Sequence, residues 1–395
     1  MRSSTRRTIL WALALVLGLV LVGVAYVRGG EDGGSADTAP DSPSPGVPRD
    51  PGDGCDAAAT TDPEDLAVDR MLARCGPDAP AAQPLPQVVP VRVAVTERTE
   101  TVAPLLVADA LGELSAENLA VEIVDMPGRD AYAAMARGEV DVVVGGVDGP
   151  FYDAVHGGLG ARLVLGGQVA RHPSDLDTPQ AGLWLRRGLI DDDDEWDNVE
   201  GQTLLVPGGL AAAAVQPIDT LLAQHSLGVN NVDIVPAPSS QAVDTLHAAA
   251  VGGAWLAEPD AIEAAADEEL MLATTTPGSE SIDGTVFGPR LLGPDRAVGL
   301  AYTRALIRTI NTHLPDGYED DALTAVAEAL AVDEDVVAEG PAPLFDWELR
   351  SGTTTRLQDA LTALGGVGYE RPIAEDGLLD RSLAADVIAA ATDQD

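Results

Sequence analysis

The sequence predicts an α/β protein built of two similar units, with one membrane-spanning helix in front of them. Three observations carry this prediction. From Val89 onward, short β-branched strands alternate with amphipathic helices, which is typical of a sheet with helices on its faces. The order strand, glycine-rich turn, helix occurs a second time after residue 200. Residues 9–27 form an uninterrupted apolar run, close to the roughly 20 residues that cross a bilayer.

The N-terminal segment, residues 1–28, is expected to be a membrane anchor or signal segment. Arg2, Arg6 and Arg7 precede the apolar run and an acid-rich chain follows it, which places the N-terminus in the cytoplasm and the rest outside. An uncleaved anchor is favoured because cleaved signals have apolar cores of only roughly 7–15 residues. The two adjacent arginines also fit a twin-arginine export signal, so the export route stays open. Residues 29–54 are rich in Gly, Pro, Ser and Asp, as a flexible linker is.

Cys55 and Cys75 are the only cysteines of the chain. Outside the cytoplasm a lone pair most simply forms one disulfide. Two cysteines without nearby histidines are too few for a zinc site. We therefore expect residues 55–88, called the prelude below, to form a disulfide-bridged segment in front of the first unit.

The first unit continues with strands and helices in alternation. Its predicted strands are residues 91–95, 120–124 and 140–144, and its predicted helices are 103–114 and 130–137. The second unit has predicted strands at 201–206 and 232–235 and predicted helices at 211–225 and 241–251. The last third is mainly helical, at 295–314, 322–330, 355–364 and 383–391. Two α/β units usually meet at a cleft, and such sheets bind ligands at the carboxyl ends of their strands.

The charge of the chain excludes several classes of function. Its 395 residues include 23 Lys+Arg, all of them Arg, and 64 Asp+Glu, so the net charge is −41. A nucleic-acid-binding protein needs a basic face, and adsorption to an anionic membrane surface needs one too. With 46% hydrophobic residues the chain is still globular. The acid excess fits either a halophile protein or a GC-rich coding bias, and both explanations stay open.

Eight segments share their order and spacing with a known family. They are residues 91–95, 105–112, 119–124, 135–142, 145–146, 198–209, 255–259 and 304–310. Together they resemble the extracytoplasmic substrate-binding proteins of ABC importers. The nearest group is that for nitrate, sulfonate and taurine, the SsuA-like group, with its thiamine-pyrimidine-precursor relatives. The resemblance covers roughly residues 89–390.

The resemblance implies a two-lobe type II periplasmic-binding-protein fold with a hinge. The first lobe would comprise residues 89–182 and 262–395, and the second lobe residues 183–261. Hinge closure of the lobes would capture a small organic molecule, which an ABC permease would receive. The anchor and the prelude are additions to the family's pattern. A membrane-anchored receptor domain that senses a ligand and signals through a partner is therefore the alternative.

Four loops are expected to converge on the cleft between the lobes. Two follow the first and third strands of the first unit, and two follow strands of the second unit. Their small residues expose backbone N–H groups, which favour an anion. The candidate ligand-binding residues are Thr96, Thr99, Glu100, Gly146, Val147, Asp148, Tyr152, Gly208, Gly209, Leu210, Trp255 and Glu258.

The acidic side chains of these loops point instead to a ligand with a positive charge. The charged groups expected there are Glu97, Glu100, Asp148 and Glu258, with Arg98 as the one cation. Buried carboxylates without partners are costly, so they favour an amine-bearing or zwitterionic ligand. Its amino group would meet Asp148 or Glu258, and Trp255 or Tyr152 would offer an aromatic face. Solvated carboxylates are the alternative, because any loop of so acidic a chain contains them.

No motif indicates a cofactor, a metal or an enzyme activity. The sequence has no phosphate-binding loop, dinucleotide fingerprint or Gly-x-Ser-x-Gly elbow, and its five histidines are scattered. The acidic run 191–195 lacks the spaced aspartates and the turn glycine of a calcium loop, so a solvated loop is expected. We therefore expect a binding protein without catalytic residues.

Overall fold

A computed structural model of the chain shows two five-stranded sheets and one two-stranded sheet, together with helices, in the described residues. The strands are β1 (Val89–Val95), β2 (Leu119–Asp125), β3 (Val142–Gly146), β4 (Arg162–Gly166), β5 (Gln168–Val169), β6 (Gly182–Arg186), β7 (Thr203–Val206), β8 (Asp233–Pro236), β9 (Gly253–Leu256), β10 (Leu270–Thr275), β11 (Asp283–Phe287) and β12 (Leu344–Phe345). The helices are α1 (Ala103–Ala110), α2 (Gly128–Ala136), α3 (Gly149–His156), α4 (Val215–Gln224), α5 (Ser239–His247), α6 (Asp260–Ala265), α7 (Pro289–Leu292), α8 (Arg296–His313), α9 (Asp320–Leu330), α10 (Glu334–Glu339), α11 (Thr353–Leu364) and α12 (Ser382–Thr392).

The described ranges cover most of the chain after the linker. They are residues 54–55, 59–67, 70–169, 180–190, 196–275, 283–341 and 343–392. All of them belong to one compact unit, Ser44–Asp395. The predicted membrane segment 1–28, nearly all of the linker and the acidic run 191–195 lie outside the described residues. Within these ranges, no helix is both long enough and apolar enough to cross a membrane.

The first sheet has the strand order β2-β1-β3-β11-β4. β1 pairs in parallel with β2 and β3, while β11 runs antiparallel to β3 and β4. The β-branched side chains of Val93 and Val142 are fully buried and share a core with Tyr302 and Ile307 of α8. This sheet and the helices packed on it are called the first lobe below. The mixed α/β class predicted from the strand and helix alternation is confirmed.

The second sheet has the order β10-β6-β9-β7-β8 and is called, with α4, α5 and α6, the second lobe. β7 pairs in parallel with β8 and β9, and β6 runs antiparallel to β9 and β10. The position of β10 shows that the boundary predicted between residues 261 and 262 was wrong. We expected the first lobe to resume at residue 262, but β10, at residues 270–275, extends the second sheet. The pairing of β10 with β6 is a contact between distant segments, which local sequence does not reveal.

The prelude is fastened to the first lobe. Cys55 and Cys75 form a disulfide with a Cα–Cα distance of 4.5 Å. The Cys75 N–H donates to the side-chain oxygen of Asn311 on α8, at 3.2 Å. Arg308, on the same helix, donates to the Pro80 carbonyl at 3.0 Å. The segment is thus held by side chains of α8 and is part of the folded body.

The two-stranded sheet of β5 and β12 lies against the prelude. β5 follows β4 on the way out of the first lobe and pairs antiparallel with β12. Val169 of β5 and Leu344 of β12 pack against Leu72 of the prelude in a small buried cluster. Glu258 follows β9, and its Oε1 accepts a hydrogen bond at 2.7 Å from the N–H of Ala181, the residue before β6.

Candidate ligand-binding site

A cavity of about 450 Å³ lies between the two lobes. On the first lobe it is bordered by residues that end or follow β1, β2 and β3 and by the first residue of β11, and on the second lobe by residues within or after β7, β8 and β9. The lining residues are Thr96, Glu97, Thr99, Thr101, Pro127, Gly128, Gly145, Gly146, Asp148, Pro207, Gly208, Ala212, Ala213, Ala214, Pro236, Ala237, Pro238, Trp255, Ala257 and Asp283. The carboxyl ends of the parallel strands therefore meet at this cavity, as expected for open α/β sheets.

The structure brings half of the predicted site residues to this cavity. Those that line it are Thr96, Thr99, Gly146, Asp148, Gly208 and Trp255. Those that lie outside the lining are Glu100, Val147, Tyr152, Gly209, Leu210 and Glu258. Of the second group, Glu100, Val147, Tyr152 and Glu258 are buried, whereas Leu210 is 42% exposed.

Glycines allow the loops of the first lobe to close around the cavity. Gly145 has a φ of +137°, and a Cβ atom at this position would overlap the Thr96 hydroxyl. A Cβ atom at Gly146 would lie 2.8 Å from Asp148 Oδ2. In the second lobe, Gly208 has a φ of +80°, in the left-handed region that favours glycine. These positions keep the backbone close to the cavity.

Asp148 joins the two lobes across the cavity. It directly precedes α3 of the first lobe, and its Oδ1 accepts a hydrogen bond from the Ala213 N–H of the second lobe, at 2.9 Å. Burial raises the pKa of Asp148 to about 6, the Ala213 N–H opposes this rise, and the charge of Glu97 adds to it. The side chain is therefore mostly ionised at pH 7 but easily protonated in mild acid.

Glu97 forms a second connection of the same kind. Its Oε1 accepts from the N–H of Ser239, the first residue of α5, at 2.7 Å. Burial raises the pKa of Glu97, the hydrogen bond from Ser239 lowers it, and the nearby Asp260 raises it further. The sequence placed Glu97 among the acids of the cleft, and the structure adds that its partner is a helix N-terminus of the opposite lobe.

Glu100 and Glu258 are buried, and neither of them lines the cavity. Glu100 is only 2% exposed, and its Oε2 accepts from the Tyr318 hydroxyl at 2.8 Å. Glu258 is 4% exposed, and its Oε1 accepts a hydrogen bond from the Ala181 N–H. The pKa of Glu100 is raised to about 8, mainly by burial and to a smaller extent by the charge of Glu258. Burial also raises the pKa of Glu258. Of the four predicted cleft carboxylates, Glu97 and Asp148 line the cavity, whereas Glu100 and Glu258 are buried outside its lining.

Four further predicted residues do not line the cavity: Tyr152, Val147, Gly209 and Leu210. Tyr152 is fully buried and donates its hydroxyl to the Thr354 carbonyl at 2.9 Å. Val147 belongs to the core of the first lobe. Gly209 and Leu210 form a short 3₁₀ turn, in which the Leu210 side chain is 42% exposed.

Arg98, the one cation expected at the site, faces another carboxylate. Its guanidinium pairs with Asp125 at the end of β2, at 2.9 Å. None of the described lining residues is Arg or His. No group of three described His, Cys, Asp or Glu side chains is arranged to hold a metal ion. Within the described lining the cavity therefore presents carboxylates, hydroxyls, backbone groups and one indole.

The sequence prediction did not include several residues of the second lobe that line the cavity. Pro236, Ala237 and Pro238 follow β8, and Ala212 and Ala213 precede α4. One signal could have located the first three: they come directly after a predicted strand of a parallel sheet, where ligands gather. The alanines carry no functional group, and only their backbone positions make them part of the site.

The chain is similar in fold to solved structures of several binding proteins. The nitrate-binding protein NrtA of Synechocystis PCC 6803 superposes with a TM-score of 0.59 at 14% identity, covering 78% of this chain and 90% of that chain. The ligand-binding component of an ABC-type import system of Staphylococcus aureus gives 0.59 at 12%, covering 75% and 98%. The alkanesulfonate-binding protein SsuA of Xanthomonas axonopodis pv. citri, solved with MOPS, gives 0.54 at 15%, covering 77% and 99%. This chain has the periplasmic-binding-protein fold.

The likeness is one of fold. No protein-family model matches the sequence, and no curated protein matches it. The periplasmic-binding-protein fold that the sequence resemblance implied is thereby confirmed, while the helix expected in front of it falls in residues that the structure does not describe.

Proposed function

We propose that this chain is an extracytoplasmic solute-binding protein that captures a small organic molecule for an ABC transporter by closing two lobes on it. The observation that carries the proposal is the cavity at the carboxyl ends of the strands of both sheets, where a hinge movement would enclose a ligand. Its volume falls in the range of about 300–1,000 Å³ typical of ligand pockets. The similar structures support this proposal, because they are a ligand-binding component of an ABC-type import system, an alkanesulfonate-binding protein and a nitrate-binding protein.

The proposed ligand carries a positive charge, as an amine or a zwitterion. Glu97 and Asp148 each use one carboxylate oxygen to accept a hydrogen bond from a backbone N–H of the opposite lobe. Among the described residues, none donates a hydrogen bond to Glu97 Oε2 or Asp148 Oδ2, so both oxygens are available to an ammonium group. Trp255 lines the same cavity and offers the aromatic face that favours a cation. Of the pairs proposed from sequence, Asp148 with Trp255 is the one that lies in the cavity.

The proposed partner is an ABC permease, and the proposed location is outside the cytoplasm. Residues 1–28, if they anchor the chain, would hold the folded body near the permease through the linker of residues 29–54. This part of the proposal concerns mainly residues outside the described ranges. It follows from the apolar run and the arginines that precede it.

The experiment that tests the proposal is native mass spectrometry of the full chain purified in mild detergent, followed by calorimetry with any small molecule found. We expect a bound cationic or zwitterionic molecule, whose affinity falls about tenfold or more in Asp148→Ala because a direct charge partner is lost. Glu122→Ala, which removes an exposed carboxylate of β2, is the matched control and should bind normally. A chain that binds no small molecule, or that converts the molecule to a product, contradicts the proposal.

A further inference from the structure

The hydrogen bonds of Glu97 and Asp148 have a feature that the ligand proposal does not use. In both, a carboxylate of the first lobe accepts a backbone N–H of the second lobe. Each N–H stands where the loop after a parallel strand turns into a helix: Ala213 just before α4, after β7, and Ser239 at the start of α5, after β8. Such N–H groups are the ones that an anionic ligand uses at the carboxyl end of an open sheet.

We infer, on the basis of the proposed function, that Glu97 and Asp148 are specificity-determining residues that exclude oxyanions from the cavity by occupying the Ser239 and Ala213 N–H groups. The chain carries its own anions at these two positions. A nitrate or sulfonate ion would have to displace them, and it would then face two carboxylates within the same cavity.

Electrostatics strengthens the exclusion. An oxyanion in the cavity would meet the negative charges of Glu97 and Asp148, and none of the described lining residues is an Arg or His that could compensate for these two charges. Like charges at close range weaken binding strongly when they are partly shielded from water. The same carboxylates leave Glu97 Oε2 and Asp148 Oδ2 for a cation. One pair of residues would thus reject anions and accept an ammonium group.

The two hydrogen bonds also hold the lobes together, since each joins the first lobe to the second. Removing both carboxylates frees the Ser239 and Ala213 N–H groups and removes two connections across the cavity. The inference therefore predicts two effects of one double variant: a gain of anion binding and a more open molecule.

The test uses the full chain, with methanesulfonate and nitrate as probes in calorimetry. We expect the wild type to bind methanesulfonate and nitrate only weakly, and Glu97→Ala/Asp148→Ala to bind methanesulfonate about tenfold or more tightly than the wild type. Small-angle X-ray scattering without any added ligand should show a larger radius of gyration for the variant. Glu122→Ala/Glu139→Ala is the matched control, because it removes two carboxylates that are mostly exposed and pair within the first lobe.

Three outcomes overturn the inference. They are tight oxyanion binding by the wild type, no gain in the double variant, and an equal gain in the control, which would reflect net charge alone. If the double alanine variant does not fold, the single variants Glu97→Ala and Asp148→Ala each free one N–H group, and at least one of them must still gain oxyanion binding. A wild type that binds cations but also binds oxyanions tightly would contradict this inference while supporting the proposed function. A wild type that binds no solute contradicts the proposed function instead.

Discussion

At the scale of single residues, Glu100 should make the stability of the fold depend on pH. Its pKa is raised to about 8 by burial and by the charge of Glu258, well above the value of about 4.3 for an unfolded chain. The folded state therefore holds a proton that the unfolded state loses, and stability falls as pH rises from about 4.5 through 8. Glu97, Asp148 and Glu258 have raised pKa values and act in the same direction.

Glu100→Gln should remove much of this dependence. The amide keeps an oxygen to accept from the Tyr318 hydroxyl but cannot ionise. Urea unfolding at pH 5, 7 and 9 should show the variant gaining on the wild type with rising pH, by on the order of a few kcal/mol at pH 9. Glu122→Gln, at an exposed position, should follow the wild-type curve. Parallel curves for Glu100→Gln and the wild type would show that Glu100 does not titrate in this window.

Single residues of the cavity were predictable where their position depends on local sequence alone. Thr96, Gly146 and Asp148 end or follow strands, and the carboxyl ends of parallel strands converge. Glu258 was predicted to face the ligand, but one of its oxygens accepts from the Ala181 N–H, which precedes β6. Tyr152 lies one helical turn after Asp148 and faces the core. Contacts between distant segments fix these two directions, and no local pattern contains them.

At the scale of elements, the parallel strands and most helices could be predicted, because each shows its own hydrophobic period. The antiparallel strands β6, β10 and β11 could not be placed in the same way. β11 lies between β3 and β4 of the first sheet, although all strands of the second sheet separate it from them along the chain. The partners of β10 and β11 are distant in sequence, so the local pattern of these strands could not reveal their sheets.

The prelude is an element whose contribution can be measured. Its disulfide closes a loop with a sequence separation of 20, and the segment is held on α8 by Asn311 and Arg308. Cys55→Ser/Cys75→Ser should lower the free energy of unfolding by about 3 kcal/mol, the loss expected for a loop of this size. Urea unfolding of this variant, with the wild type in dithiothreitol as the matched comparison, measures the loss. Equal stability of all three samples would show that contacts with α8 hold the prelude without the disulfide.

At the scale of the whole molecule, the lobes also meet away from the carboxylates, at the end of α11. This helix belongs to the first lobe, yet Leu364 in its last turn packs into the core of the second lobe. Two residues later, Gly366 lies against the backbone of the turn at Leu210 and Ala211. Leu210, which was expected to bind ligand through the cavity, thus contributes its backbone to a contact between lobes. The approach is close because Gly366 has no side chain.

Gly366→Ala should therefore hold the lobes apart. Its Cβ atom would lie 2.5 Å from the Leu210 carbonyl oxygen, a backbone atom of the opposite lobe that cannot yield without moving the turn. Since a ligand enclosed by both lobes needs the closed arrangement, we expect a larger radius of gyration in small-angle X-ray scattering and about tenfold weaker solute binding. Gly188→Ala is the control, because a Cβ atom there meets nothing within 4 Å. Unchanged scattering with unchanged affinity would mean that the turn at Leu210 adjusts locally and does not limit closure.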